Sequence, residues 1–131
     1  MTKFAHKCFI KYFYDFIHKT RDLHLDDHDL MVSFDVISLF TKIHAPESLN
    51  IISRFFDKET LHLIEICLSS TFFSFKSKFY EQTKGTTMGS CLSLIVANIF
   101  MEHFETLALN SFSLKPKCWF RFVYETFSIW P

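Results

Sequence analysis

Glycine and proline are scarce in this chain, with two and three residues among 131, and that scarcity excludes collagenous, linker-like and low-complexity architectures. An excess of charge of one sign is missing as well. Fourteen Lys and Arg balance 14 Asp and Glu, so the chain lacks the basic surplus with which a free-standing nucleic-acid binder neutralises phosphates. Zero net charge also works against solubility near neutral pH. The four cysteines, Cys8, Cys67, Cys91 and Cys118, are far apart and form no C-x-x-C pair. They read as reduced, mostly buried thiols, not as a secreted disulfide framework. The first residues, from Met1 to Lys7, are broken by charge too often for a signal peptide, which gives the expectation of an intracellular protein. A long apolar run is absent too. The longest uncharged stretch, Gly85 to Met101, includes Ser90, Ser93 and Asn98 and falls short of the roughly 20 apolar residues of a membrane span. It is expected to be a buried core helix.

What the chain does have is apolar and aromatic mass: 49% hydrophobic residues and 18 Phe, enough to fill the core of one domain of this length. No internal repeat or linker is visible. Ala5, Cys8, Phe9, Tyr12, Phe13, Phe16 and Ile17 recur at helical spacing and predict a helix over 3–19. A polar loop from Thr20 to Asp29 follows. Leu30, Val32 and Phe34 then alternate with Met31, Ser33 and Asp35, the period of a strand ending near Asp35. Pro46 suits the first turn of a helix over 46–56, and Asp57 is a candidate N-cap for a helix over 58–70. Residues 72–75 and 78–81 predict a hairpin. Ser90 is a candidate cap for the longest helix, about 91–109, with Ile95, Val96, Ile99 and Phe100 expected among its most buried residues. Residues 118–123 and 126–130 predict a second hairpin, with Tyr124-Glu125 as its two-residue connection. Helices mixed with antiparallel strands give the α+β class.

Three segments stand out chemically. Val32 to Thr41 carries a carboxylate, Asp35, at the end of an apolar strand. Gly85-Thr86-Thr87-Met88-Gly89-Ser90 holds both glycines of the chain and leads into a helix N-terminus, where backbone N–H groups can meet an anion. It is not a P-loop, since no Gly-Lys-Ser/Thr follows. Arg121 to Pro131 is a hairpin tip. Each segment alone also has a structural reading, as a solvated strand end, a loop of unusual φ and a turn.

Taken together and in this order, they resemble motifs A, B and C of a reverse transcriptase palm, most nearly that of Penelope-like retroelements. That family has an S-F-D-V-x-S-L-F-T strand, then G-T-x-M-G-S-P-L-S-P leading into A-N-x-F-M-E, then R-Y-V-D-D-T-F-x-I-W. Ser33 to Thr41 matches every fixed position of the first, and Gly85 to Glu102 matches most of the second. The resemblance covers residues 30–131, with 1–29 as a fingers-side helix and loop. It implies a single truncated fingers–palm domain, an antiparallel sheet backed by helices. It also implies RNA-directed DNA polymerase ancestry, two-metal Mg²⁺ chemistry, and RNA or DNA template–primer with dNTP as partners. By the same resemblance Asp35, with the carbonyl of Val36, would hold metal. Phe40 would close against the nucleotide sugar, and Gly85, Met88, Gly89 and Ser90 would lie against nucleotide and template.

The resemblance breaks at motif C, where the family's paired aspartates fall on Tyr124 and Glu125. A phenol with a pKa of about 10 is no Mg²⁺ ligand at neutral pH. Asp35 and Glu125 are then left to hold a strongly hydrated cation with two charges, and losing the metal's stabilisation costs roughly three orders of magnitude in rate. The family's prolines in motif B are Cys91 and Leu94 here, and the turn after Phe75 is Lys76-Ser77 in place of an Asn-Gly-like pair. The expectation is an inactive domain with impaired Mg²⁺ binding and weak, salt-sensitive affinity for nucleic acid. The alternative is a non-enzymatic interaction module or inert remnant exposing an aromatic-rich surface through which it self-associates. A His24/His28 metal site needs a helix where Asp26 and Asp27 indicate a loop. A hydrolase elbow fails because Leu92 stands where glycine is needed. The Lys-bearing first helix is expected to pack in a core and not on a membrane.

Overall fold

The computed structural model describes residues 8–43 and 45–131. Its elements are α1 (Phe13–Thr20), β1 (Leu30–Asp35), α2 (Leu39–Lys42), α3 (Ala45–Ile52), α4 (Lys58–Ser69), β2 (Phe72–Phe75), β3 (Lys78–Glu81), α5 (Cys91–Ser111), β4 (Cys118–Phe122) and β5 (Glu125–Trp130). The architecture is α+β, with antiparallel sheets. The chain divides into two compact units: residues up to Ile37 with Phe104–Pro131, and Ser38–His103.

In the first unit the sheet order is β1-β5-β4. The strand that alternation predicts, ending at Asp35, pairs with the C-terminal hairpin, from Leu30 opposite Trp130 to Asp35 opposite Glu125. Residues opposite one another share a face. Ser33, Asp35, Phe120, Phe122, Glu125 and Phe127 therefore lie on one side, and Val32, Phe34, Trp119, Arg121, Thr126 and Ser128 on the other. The second side is backed by the C-terminal turns of α5. There Glu105 accepts hydrogen bonds from Arg121 Nε at 2.8 Å and Trp119 Nε1 at 3.0 Å, and Phe34 meets Trp119 edge-on at 5.3 Å. On the first side, Phe16 of α1 packs edge-on against Phe120 and Phe127. The Thr20–Asp29 loop is pinned by Lys117, which pairs with both Asp26 and Asp29.

The helix expected over 3–19 is interrupted among the described residues. Residues 3–7 lie outside the described part, Cys8 is helical, Phe9 to Tyr12 are not, and helix resumes over Phe13–Thr20. Phe9 and Ile10 are extended instead, with the Ile10 N–H donating to the Arg121 carbonyl at 2.8 Å. That bond occupies the outer edge of β4 and buries Cys8 and Ile10, a long-range gain that outweighs local helical spacing.

In the second unit, α3 and α4 contact each other. Asp57 caps α4 as expected, accepting from the Thr60 N–H at 2.8 Å and the Thr60 hydroxyl at 3.0 Å. Helix α3 stops at Ile52, before the expected 56. The β2–β3 hairpin forms as read, and its Lys76-Ser77 turn takes positive φ at both residues, 48° and 60°. Helix α5 is the element among the described residues long and apolar enough to cross a membrane by length and composition. Along it Ser93, Val96, Ala97, Met101, Glu105 and Leu109 are buried. Of the four residues expected deepest, Val96 is 1% exposed, but Ile95 is 50% exposed and Ile99 and Phe100 are half-buried. The buried row follows steps of three and four through Ser93 and Ala97, and Ile95 falls outside that stripe.

Candidate functional site

Two clusters of the sequence-derived site residues form, one in each unit. In the first, the Val36 N–H donates to the Tyr124 carbonyl at 3.0 Å. Position 36 therefore faces 124 as a hydrogen-bonded pair, and alternation along the antiparallel ladder makes Asp35 and Glu125 a non-hydrogen-bonded pair. Such pairs bring Cα atoms to about 4.5 Å and side chains closest together. Asp35, Val36, Tyr124 and Glu125 thus meet at one end of the sheet, with both carboxylates on one face and exposed.

The connection differs from expectation by one residue. Val123 and Tyr124 form the turn, and Glu125 is already the first residue of β5, opposite Phe122. Val123 takes φ 55°, a region that a β-branched residue rarely enters and that a tight hairpin reserves for glycine at this position. Arg121 holds the strained residue in place, with Nη1 donating to the Val123 carbonyl at 2.9 Å.

Arg121 is the residue that sequence reading missed. It is 0% exposed, and its partner Glu105 is 4% exposed. The signal was available: a single cation in an apolar, mostly aromatic strand and acids in the second half of an apolar helix, each needing a partner if buried.

The second cluster joins Phe40 to the glycine loop. The Thr86 N–H donates to the Phe40 carbonyl at 2.6 Å, and Gly85 sits against it with φ +77°. A Cβ at Gly85 would lie 2.5 Å from Phe40 O and 2.6 Å from Thr41 Cα, so only glycine fits. Gly89, at φ +90°, has open space around its missing Cβ. Met88, Gly89 and Ser90 are exposed.

The carboxylate face also bears a cavity of about 450 Å³ whose lining includes Phe13, Phe16, Ser33, Phe120, Glu125 and Phe127. Helix α1 thus stands beside the carboxylate pair on the same side of the sheet. Among the described residues, no group of three or more His, Cys, Asp or Glu side chains is placed to hold one metal ion. No protein-family model matches this chain, and no curated protein matches it.

Proposed function

We propose that this chain is a reverse transcriptase-like fingers–palm domain of retroelement ancestry, resembling Penelope-like elements, that no longer polymerises. The observation that carries the reading is the register of Asp35 opposite Glu125. Two strands distant in sequence, read as motifs A and C from their residues alone, deliver their carboxylates to one point on one face. A second observation supports it independently. Gly85 of the motif B segment is required by its contact with the backbone of Phe40 and Thr41 in the motif A segment.

The donor set does not fit a pair of Mg²⁺ ions. Two-metal phosphoryl transfer needs carboxylates to bridge and neutralise, and the third position is the phenol of Tyr124, so no catalytic step is routed through a metal here. Helix α1, packed through Phe16 on the carboxylate side, also narrows the approach of any duplex to that face.

Primer extension in Mg²⁺ tests the reading, with no incorporation expected. Transplanting the Tyr124-Glu125 pair into an intact family member isolates the metal site, and robust extension by that chimera would contradict the assignment of Tyr124 as the disabling change. Affinity for primer–template is expected to be weak, and submicromolar binding at roughly 150 mM salt would contradict this reading. A non-enzymatic interaction module is the second reading. It is favoured by the β2–β3 hairpin, whose Phe72, Phe73, Phe75, Phe79 and Tyr80 are all exposed, with Phe73 and Tyr80 stacked at 5.5 Å.

A further inference from the structure

Strand β1 is an edge strand with one side paired to β5. The Val36–Tyr124 bond fixes which backbone groups are used: Leu30, Val32 and Phe34 face β5, so the N–H and C=O groups of Met31, Ser33 and Asp35 point away from the sheet. Among the described residues, no hydrogen bond meets those outward groups. The opposite edge of the sheet is treated differently, since the Phe9–Ile10 segment covers β4. Natural edge strands are blunted by Lys, Pro, bulges or inward charges. Leu30-Met31-Val32-Ser33-Phe34-Asp35 has none of these before its last residue, and all six residues are exposed.

We infer that the outer edge of β1 is the dimerisation surface of this protein, pairing antiparallel with β1 of a second copy about a two-fold axis at Ser33. The self-complementarity of the strand selects the second copy as the occupant. With Ser33 opposite Ser33 of the other copy, the three outward residues exchange about six backbone hydrogen bonds. Val32 then lies opposite Phe34, an aromatic and β-branched pair of the kind that stabilises sheets. Asp35 lies opposite Met31, so the two Asp35 carboxylates stay apart. Shifting the axis to Val32 would instead oppose Asp35 with Asp29 and set like charges together. The zero net charge of the chain removes any overall repulsion between copies, and the contact is isologous and closes at two.

Sedimentation equilibrium of the full chain at tens of micromolar is the test, with a dimer mass expected. A monomer at every concentration would overturn the inference, and would leave the edge to a strand of a different protein. Ser33→Pro removes an outward N–H that the β1–β5 ladder does not use, and proline is tolerated at such edge positions. It is expected to give a monomer with an unchanged far-UV circular dichroism spectrum. A Ser33→Pro chain that still dimerises would overturn the proposal. Two substitutions at exposed Met31 read the register without risk to folding. Met31→Lys, placed opposite Asp35 of the other copy, is expected to tighten the dimer and Met31→Asp to weaken it, each by about two- to tenfold. Equal effects of the two would exclude the register.

Discussion

Asp35 and Glu125 face each other across a non-hydrogen-bonded position of an antiparallel ladder, 90 residues apart in sequence. Like charges directly opposite one another destabilise a sheet, so the pair costs stability, as the proposed descent from a metal-holding site would explain. Replacing Glu125 by Gln is expected to raise the melting temperature by about 1–4 °C, and Asp35→Asn similarly. Differential scanning calorimetry at low salt checks this, and the gain should shrink as salt is added.

The buried pair of Arg121 and Glu105 is expected to dominate the stability of the first unit. Glu105→Leu leaves a fully buried guanidinium without its carboxylate and should cost about 3–5 kcal/mol. The double variant Glu105→Leu with Arg121→Met should recover most of that loss. Urea titration of the two variants distinguishes a broken pair from a simple packing defect.

The sequence pattern carried much of this fold, and the reasons are local. The six residues of β1 alternate cleanly, Asp57 offers its oxygen to the Thr60 N–H as a cap does, and the two hairpins announce themselves by short polar or turn segments between aromatic runs. Three features escaped, two of them because long-range contacts decide them. The Ile10 bond to Arg121 unwinds a segment whose apolar spacing is helical. The turn moved to Val123-Tyr124 because the ladder sets Glu125 opposite Phe122, and Arg121 secures a φ that valine resists. Ser38, at φ 61°, precedes the short helix α2, which the sequence reading left unassigned because it has no capping or periodicity signal of its own. At the candidate site, residue types revealed which positions could meet, while the exact pairing of Asp35 with Glu125 required the register.

The two glycines should respond differently to alanine. Gly85→Ala meets backbone atoms at 2.5–2.8 Å as well as an unfavourable φ, and should destabilise by about 3 kcal/mol or more. Gly89→Ala meets no neighbour and should cost only the backbone term, about 1–2 kcal/mol. Equilibrium unfolding of both variants, compared side by side, measures the difference that contact with Phe40 makes.

The loop before β1 should release in acid. The hydrogen bond from Lys117, with that from the Asp26 N–H, holds the Asp29 carboxyl below its ordinary value of 3.8. A group whose pKa is lowered on folding stabilises the fold fully above its unfolded value, and that contribution disappears as pH falls through the lower folded value. Lys117 is shifted upward from 10.5 by the same partners, so its contribution persists to that pH and is lost above it. Asp29→Asn should therefore reduce stability at pH 7 and flatten its dependence on pH below about 4. Thermal melts from pH 2 to 7 on the two chains test the sign.

The most direct test of the central claim is Mn²⁺-induced paramagnetic broadening of backbone amide signals, compared between the native chain and the variant Tyr124→Asp with Glu125→Asp. Placing two aspartates beside Asp35 sets three converging carboxylates at the end of the sheet. The account predicts broadening centred on Asp35, Val36 and residues 124–125 in the variant, at metal concentrations that leave the native chain sharp. Equal broadening in both chains, or none at these residues in the variant, would contradict the descent of this sheet from a metal-holding palm.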